Sequence, residues 1–530
     1  MKTLIFLILC QLSAVCIAED NLVTVIIDEQ IRYQTIVGFG ASDAWRIQFT
    51  GAYWPEEKTE KIADLLFSQN IDPDGNPLGI GLSIWRFYLG AGTSEMGESS
   101  GIVNEWRRAE CFLDADGNYD WSKHSGQQRF LRTAKERGVS KFLAFTIAPP
   151  VFWSKNGMGH SIKDDMGMNI KPAHLEDYAA YLAEVMEHFG DEGLEFNYLS
   201  PFNEPQWSWH KNSQEGTSAQ NEDLYRFIKY LSAELNERKL HTQLVIGEAA
   251  TIRHLTDTVD NDSRDNQVEV FFNPSSAMYI GDLPNISNTI SGHSYFTVWP
   301  IEDQVETRQK LAAKIQQTDP DLAYWQTEYC ILEKNDEIKG GRKRDLGMPT
   351  ALFVARIIHN DLCIANAASW QWWTALSQFD YKDGLIHLDD GKSNGVRDPR
   401  SELNESLKYD GYVRDTKLLW ALGNYSRFIR PGMIRVQAEI EGSGTLVEQS
   451  KELMVSAFKD TLSGPLVLVI VNQTTTDRQV KLKSRIMNEA ASSIAEMYVT
   501  SNISNLKKSI VNLDELIIPA RSISTIILDN

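Results

Sequence analysis

Glu204 sits in the segment Leu199-Ser200-Pro201-Phe202-Asn203-Glu204-Pro205, and Glu328 closes Tyr324-Trp325-Gln326-Thr327-Glu328. Each ends a short apolar run that reads as a buried strand. A carboxylate in such a place is costly unless it is paired, hydrogen-bonded or put to use. The bland reading of either one is a structural ion pair. Taken together they suit glycosidic bond cleavage, in which one carboxyl protonates the leaving oxygen and the other attacks the anomeric carbon or activates water. A gap of roughly 5–5.5 Å between the two gives retention, and a wider one inversion. One of the pair should be an acid with a raised pKa and the other a carboxylate.

Further residues gather at similar positions. Arg86, in Ile84-Trp85-Arg86-Phe87-Tyr88, needs a carboxylate partner if its strand is buried, and Glu328 is a natural one. The alternative is an ion pair with no catalytic role. Aromatic residues recur near strand ends: Trp85, Phe152 and Trp153, Trp207 and Trp209, His293 with Tyr295 and Trp299, then Trp370, Trp372 and Trp373. Flat rings stack on the apolar faces of sugars, and the competing reading is ordinary core. Other chemistry finds no support. There is no HExxH. Gly391-Lys392-Ser393 lacks the earlier glycine of a P-loop, which is Ile386 here, and Asp114-Ala115-Asp116-Gly117-Asn118-Tyr119-Asp120 carries its glycine too early for a calcium loop and reads as a tight polar turn. No metal and no organic cofactor is expected.

Something must bring the two glutamates together. Eight strand-like runs recur: Thr35–Ala41, Leu82–Tyr88, Phe142–Ile147, Phe196–Phe202, Leu244–Glu248, Thr289–Tyr295, Leu322–Thr327 and Ala367–Trp372. Helical patterns such as Leu175–Phe189, Asp223–Glu237 and Val305–Thr318 alternate with them. Alternation implies a parallel sheet, and eight repeats a closed (β/α)8 TIM barrel spanning 35–428. An open doubly wound sheet is disfavoured, because no Gly-rich dinucleotide turn follows the first run. In a barrel the carboxyl ends of the strands carry the site. After Arg430-Pro431-Gly432 the texture becomes short β-branched runs with no clear helix, predicting an antiparallel β-sandwich over 429–530. Leu22–Ile27, within 19–34, predicts a strand that pairs with it.

Residues 1–18 begin Met1-Lys2-Thr3, run through Leu4–Leu9 and end in small residues, as a secretory signal does; lipidation of Cys16 is a variant of that reading. The expected location is secreted, periplasmic or cell-surface, with no transmembrane segment. A net charge of −20 argues against nucleic acid and suits a neutral polymer. Past the signal only Cys111, Cys330 and Cys363 remain, enough for one disulfide or three buried thiols.

The chain resembles glycoside hydrolase family 30, a group of retaining (β/α)8 glycosidases. Asn203-Glu204-Pro205 is similar to its acid/base segment and Thr327-Glu328 to its nucleophile strand. Gly38-Phe39-Gly40 with Asp43, Arg86 on the second strand, Pro150 to Gly157, Ser369 to Trp373 and Leu422 to Gly432 also match, although Phe152 stands where the family carries tryptophan and Trp153 follows it. The resemblance implies Glu204 as acid/base and Glu328 as nucleophile. It implies Asp43, Arg86, Phe152, Trp153, Asn203, Trp207, His293, Tyr295 and Trp373 as substrate-binding residues, with Asn203 on the sugar 2-hydroxyl and Tyr295 against the nucleophile. Gly79–Arg86 and Asn104–Cys111 look most like the branch of endo-β-1,6-galactanases. A monomer acting on a β-linked polysaccharide or oligosaccharide is therefore expected. β-1,6-Glucanase, xylanase or glucosylceramidase action are alternatives within the family, and a non-catalytic glycan-binding protein is the alternative from another class.

Overall fold

A computed structural model describes residues 22–259, 263–392, 395–460, 464–484 and 493–528. The expected signal segment, with Cys16, lies outside them. Strand β1 (Leu22–Thr35) precedes a closed barrel of eight strands. These are β2 (Gly38–Ser42), β3 (Ile84–Leu89), β4 (Lys141–Thr146), β5 (Tyr198–Ser200), β6 (Gln243–Ala249), β7 (Ile286–Gly292), β8 (Ala323–Gln326) and β9 (Ala367–Trp373). Every neighbouring pair is parallel, and β2 pairs β9 to close the ring. Helices cover the outside, so the strands are buried on both faces; all of β3 and all of β9 are buried. The intervening helices bury one stripe each. Helix Leu175–Asp191 turns Tyr178, Leu182, Val185, Met186 and Phe189 inward, and helix Asn221–Glu237 opens on a capping box between Gln220 and Asp223.

The first barrel strand starts later than its apolar run suggests. Thr35 ends β1, and β2 opens only at Gly38. There is no room for side chains at this turn: a Cβ on Gly38 would lie 2.5 Å from Ser83 Oγ, and one on Gly40 2.9 Å from Ile84. Past β9, a small sheet of β10 (Leu376–Ser377), β11 (Ile386–Asp389) and β12 (Tyr412–Asp415) caps one side of the barrel mouth.

The remaining strands are β13 (Ile434–Ile440), β14 (Leu453–Lys459), β15 (Leu466–Asn472), β16 (Arg478–Ser484), β17 (Ile494–Ser501), β18 (Ser504–Asn512), β19 (Leu516–Ile518) and β20 (Ser522–Leu528). With β1 they form one nine-stranded sheet in the order β18-β17-β20-β15-β14-β13-β1-β16-β19. It is not wholly antiparallel as expected, because β1 runs antiparallel to β13 but parallel to β16. Nor is the region free of helix: Leu446–Lys451 is helical, set by a capping box between Thr445 and Glu448. Strand alternation explains why β15 is apolar throughout. Leu466, Leu468 and Ile470 enter the sheet's own core, while Val467, Val469 and Val471 join the barrel core. Asn424 strengthens the joint, its Nδ2 donating to Tyr498 O, Ile523 O and Thr525 Oγ1.

Cys111, Cys330 and Cys363 are free thiols. Asp114 Oδ1 accepts from the amides of Asp116 and Asn118, a tight turn. No helix among the described residues is long and apolar enough to cross a membrane.

Candidate active site

Glu204 lies just past β5 and Glu328 just past β8, both at the carboxyl end of the barrel. Glu204 adopts a left-handed backbone, φ +50°, which a non-glycine residue keeps only when its surroundings enforce it. Its amide donates to Glu248 O at 2.8 Å, and Trp209 Nε1 donates to its carbonyl at 2.9 Å. Gly216 lets the Trp209 ring sit close, since a Cβ there would fall 2.6 Å from it. Glu328 is held by its side chain. Arg86 Nη1 donates to Oε2 at 3.0 Å and the Tyr295 hydroxyl to Oε1 at 3.1 Å. Arg86 is anchored in turn by Thr327 O at 2.8 Å and by the Phe145 ring, 4.3 Å from its guanidinium carbon. One carboxylate oxygen from each glutamate and a ring nitrogen of His293 lie within 4.8 Å of one another.

His293, at the end of β7, joins the pair to a third carboxylate. Its Nδ1 is 2.8 Å from Glu204 Oε1 and its Nε2 2.9 Å from Glu248 Oε2. Burial alone would strip its proton, but the charge of Glu328 and the bonds to Glu204 and Glu248 outweigh burial and hold its pKa up at about 10. The trio has the spacing of a metal site, but both His293 ring nitrogens already face carboxylate oxygens of Glu204 and Glu248. Glu248 goes the other way. Burial pushes it up, yet Arg86, His293 and Ser200 more than offset that and bring it to about 2. Its Oε1 accepts from Ser200 Oγ at 2.8 Å, and its Oε2 also from Thr327 Oγ1 at 3.0 Å and Arg86 Nη2 at 3.3 Å. Glu204 has its pKa raised, first by burial and further by the Glu328 and Glu248 charges, against the pull of His293. Sequence reasoning missed Glu248, although it too ends an apolar strand run and carries the same signal as the other two.

Around this cluster the sequence candidates divide. Asn203 is buried beside Glu204, and its Oδ1 has no hydrogen-bond partner among the described residues, leaving an acceptor for a sugar hydroxyl. Trp373 closes β9 and meets Trp45 edge-on at 4.9 Å; the peptide that follows it is cis. Asp43 is committed to the backbone: Oδ1 accepts from the Arg46 amide at 2.7 Å and Oδ2 from the Leu376 amide at 2.5 Å, so it fixes the loop bearing Trp45. Burial raises its pKa to about 6 despite Arg46 and those amides. Trp207 is 36% exposed and meets the 48% exposed Phe296 edge-on, an aromatic rim beside Glu204 that includes a phenylalanine the sequence reading did not select. Phe152 and Trp153 pack on each other after β4, with Trp153 stacked on His174. No hydrogen bond or ring contact ties them to the carboxylates among the described residues. Trp85, Trp370 and Trp372 are not rim residues at all: they are buried core, with Trp370 Nε1 donating to Asp361.

Two carboxyl groups close enough to act on the oxygen and the carbon of one glycosidic bond, presented by a (β/α)8 barrel, define the class: the protein is a glycoside hydrolase. The profile of O-glycosyl hydrolase family 30 matches residues 22–387, and the chain belongs to that family. A solved structure described as a conserved exported protein from Bacteroides fragilis is 35% identical, with 95% of this chain and 100% of that one covered and a TM-score of 0.88. The catalytic domain of a family 30 xylanase C from Talaromyces cellulolyticus shares the fold at 19% identity, 96% and 100% coverage and a TM-score of 0.66. An endo-β1,6-glucanase shares it at 14% identity, 96% and 93% coverage and a TM-score of 0.65.

Proposed function

We propose that the protein is a retaining β-glycosidase, exported from the cell, that acts on β-1,6-galactan within the chain. The observation that carries retention is the gap between the carboxylates, no more than 4.8 Å between one oxygen of each, which leaves no room for a water between nucleophile and sugar. Glu204, its pKa raised by burial, gives its proton to the glycosidic oxygen as the bond to the anomeric carbon breaks. A Glu328 oxygen bonds to that carbon from the opposite face, forming a glycosyl ester. Arg86 and Tyr295 orient this carboxylate. The tyrosine stays a donor because burial, helped by the nearby Cys330 and Glu328, holds its pKa well above the ordinary value. Glu204, now deprotonated, takes a proton from water. The water oxygen replaces Glu328 at the anomeric carbon, and the configuration is restored. Asn203 offers its free Oδ1 to the sugar 2-hydroxyl, Trp373 gives the floor, and Trp207 with Phe296 gives an apolar rim on the leaving-group side.

Support for galactan is the likeness of Gly79–Arg86 and Asn104–Cys111 to the galactanase branch. Support for export is the segment 1–18 and the description of the Bacteroides fragilis relative as an exported protein. The deciding experiment incubates the mature protein with de-arabinosylated arabinogalactan, β-1,6-glucan, glucuronoxylan and a glucosyl lipid, and follows product size and anomeric configuration. Short β-1,6-galacto-oligosaccharides released first as the β-anomer support the whole reading. Products from another member of the panel overturn the substrate alone. An α-anomer released first overturns retention, and a folded protein inert on every glycan points to the glycan-binding reading.

A further inference from the structure

One buried carboxylate takes no part in bond breaking and forms no ion pair among the described residues. Glu215 lies in the same loop after β5 as Glu204 and is 1% exposed. Its Oε1 accepts from Thr93 Oγ1 at 2.5 Å and from the Thr93 amide at 3.4 Å. Its Oε2 accepts from the Ala91 amide at 3.1 Å and from the Tyr88 hydroxyl. Tyr88 belongs to β3, and Ala91 and Thr93 follow it. Thr93 Oγ1 already accepts from the Ala109 amide at 3.1 Å, so its own proton goes to Glu215. Burial, then the Glu215 charge, holds the Tyr88 pKa well above the ordinary value, and the tyrosine stays a donor. Two donors on each oxygen suit an ionised carboxylate. The other titratable groups that feel its charge, Tyr178 and Cys111, are kept neutral by burial. Burial lifts the Glu215 pKa to about 7 against the pull of Thr93, Tyr88 and the Ala91 amide. A carboxylate kept in such a place for packing alone is costly.

The loop it anchors is strained. Glu204 and Trp209 both have left-handed backbones, φ +50° and +45°, which last only where the surroundings enforce them. The residue after Glu215, Gly216, takes the Trp209 ring against its backbone and donates its amide to Gly159 O at 2.8 Å. Gly159, in the loop after β4, has no room for a side chain: a Cβ there would lie 2.5 Å from Thr93 Cγ2 and 3.2 Å from Glu215 Cγ. Farther on, the Ala219 amide returns to Pro205 O at 3.0 Å. The loops after β3, β4 and β5 therefore meet at the Glu215 carboxylate.

We infer that Glu215 is a positioning residue: its carboxylate ties the loop after β5 to the end of β3 and, through Gly216 and Trp209, fixes where Glu204 presents its proton. The inference rests on the acid/base assignment of Glu204, but not on the choice of glycan. Glutamine has the same shape, yet in either orientation its amide nitrogen would face a backbone N–H, that of Ala91 or of Thr93. Glu215→Gln therefore loosens the tie without opening a cavity.

The test measures kcat/KM on the phenyl and dinitrophenyl β-glycosides of the shortest oligosaccharide that wild type releases from its glycan. This parameter reports the first displacement, in which phenoxide needs a proton to leave and dinitrophenoxide does not. Glu215→Gln should lose about tenfold more on the phenyl than on the dinitrophenyl glycoside, because a misplaced acid impairs proton transfer and little else. Glu204→Gln should show the same selectivity more strongly, on the order of 10²-fold. Equal losses on the two substrates in a folded Glu215→Gln, or no loss on either, overturn the positioning role, and a selective Glu204→Gln then leaves the acid assignment standing. A Glu204→Gln without selectivity overturns the acid assignment and the inference that rests on it. Should Glu215→Gln fail to fold, Tyr88→Phe removes one of the four donors in its place. A selective loss of about threefold is then expected, and equal losses overturn the role.

Discussion

Glu328→Gln preserves shape and one hydrogen-bond acceptor while removing the nucleophilic oxygen, so activity should fall on the order of 10³-fold or more with an unchanged circular dichroism spectrum. Near-normal turnover would end the nucleophile assignment. His293→Gln probes the other carboxyl. The imidazolium holds the Glu204 pKa down against burial and two neighbouring charges. Without it that pKa rises further, and the alkaline limb of kcat/KM against pH should move to higher pH. A limb that stays put or moves to lower pH would show that Glu204 is not the acid or that His293 carries no charge. Glu204 and Glu328 stood out as candidates in the chain because each ends an apolar run, and Asn203 and Pro205 flank the first. Glu248 has the same local signature, but its meaning lies in Arg86, Ser200, His293 and Thr327, which four other strands deliver.

At the scale of elements, the loop after β5 acts as a brace. Gly216→Ala should push the Trp209 ring off the Glu204 carbonyl, lowering kcat about tenfold and the Tm by a few degrees. A lower Tm with an intact kcat would make Trp209 mere packing. Aromatic residues near strand ends were harder to sort from sequence. Trp370 and Trp372 share strand β9 with Trp373, yet they are 0% exposed while Trp373, at the strand's carboxyl end, keeps 9% and abuts Trp45. Strand alternation separates neighbours onto two faces, but in a barrel both faces are covered, so hydropathy carries no mark of which side meets substrate.

The whole molecule should unfold as one unit. Met454, Phe458, Val467, Val469 and Tyr498 of the side sheet share a core with the barrel, and β1 is locked between β13 and β16. Calorimetry of the full chain should give a single transition; two separable ones would refute the shared core. Buried histidines add a pH term. His359, at the barrel–sheet junction, has its pKa lowered to about 3 by burial and then by Arg435. Its unfolded value is near 6.5, so the unfolded chain binds the extra proton, and this stability is present above that pH and lost as pH falls toward 3. The Tm of His359→Gln relative to wild type should therefore improve from pH 7.5 to pH 5, and a constant difference would show that His359 is not buried neutral.

Alternating runs of strand and helix determined the barrel, and the β-branched tail determined a second sheet, because periodicity and propensity are local properties written residue by residue. Tertiary structure alone decided the parallel pairing of β1 with β16, the partners of Glu248 and the hydrogen bonds of Asp43 to the backbone. Each depends on distances between segments far apart in the chain, which barrel closure sets and no local pattern records.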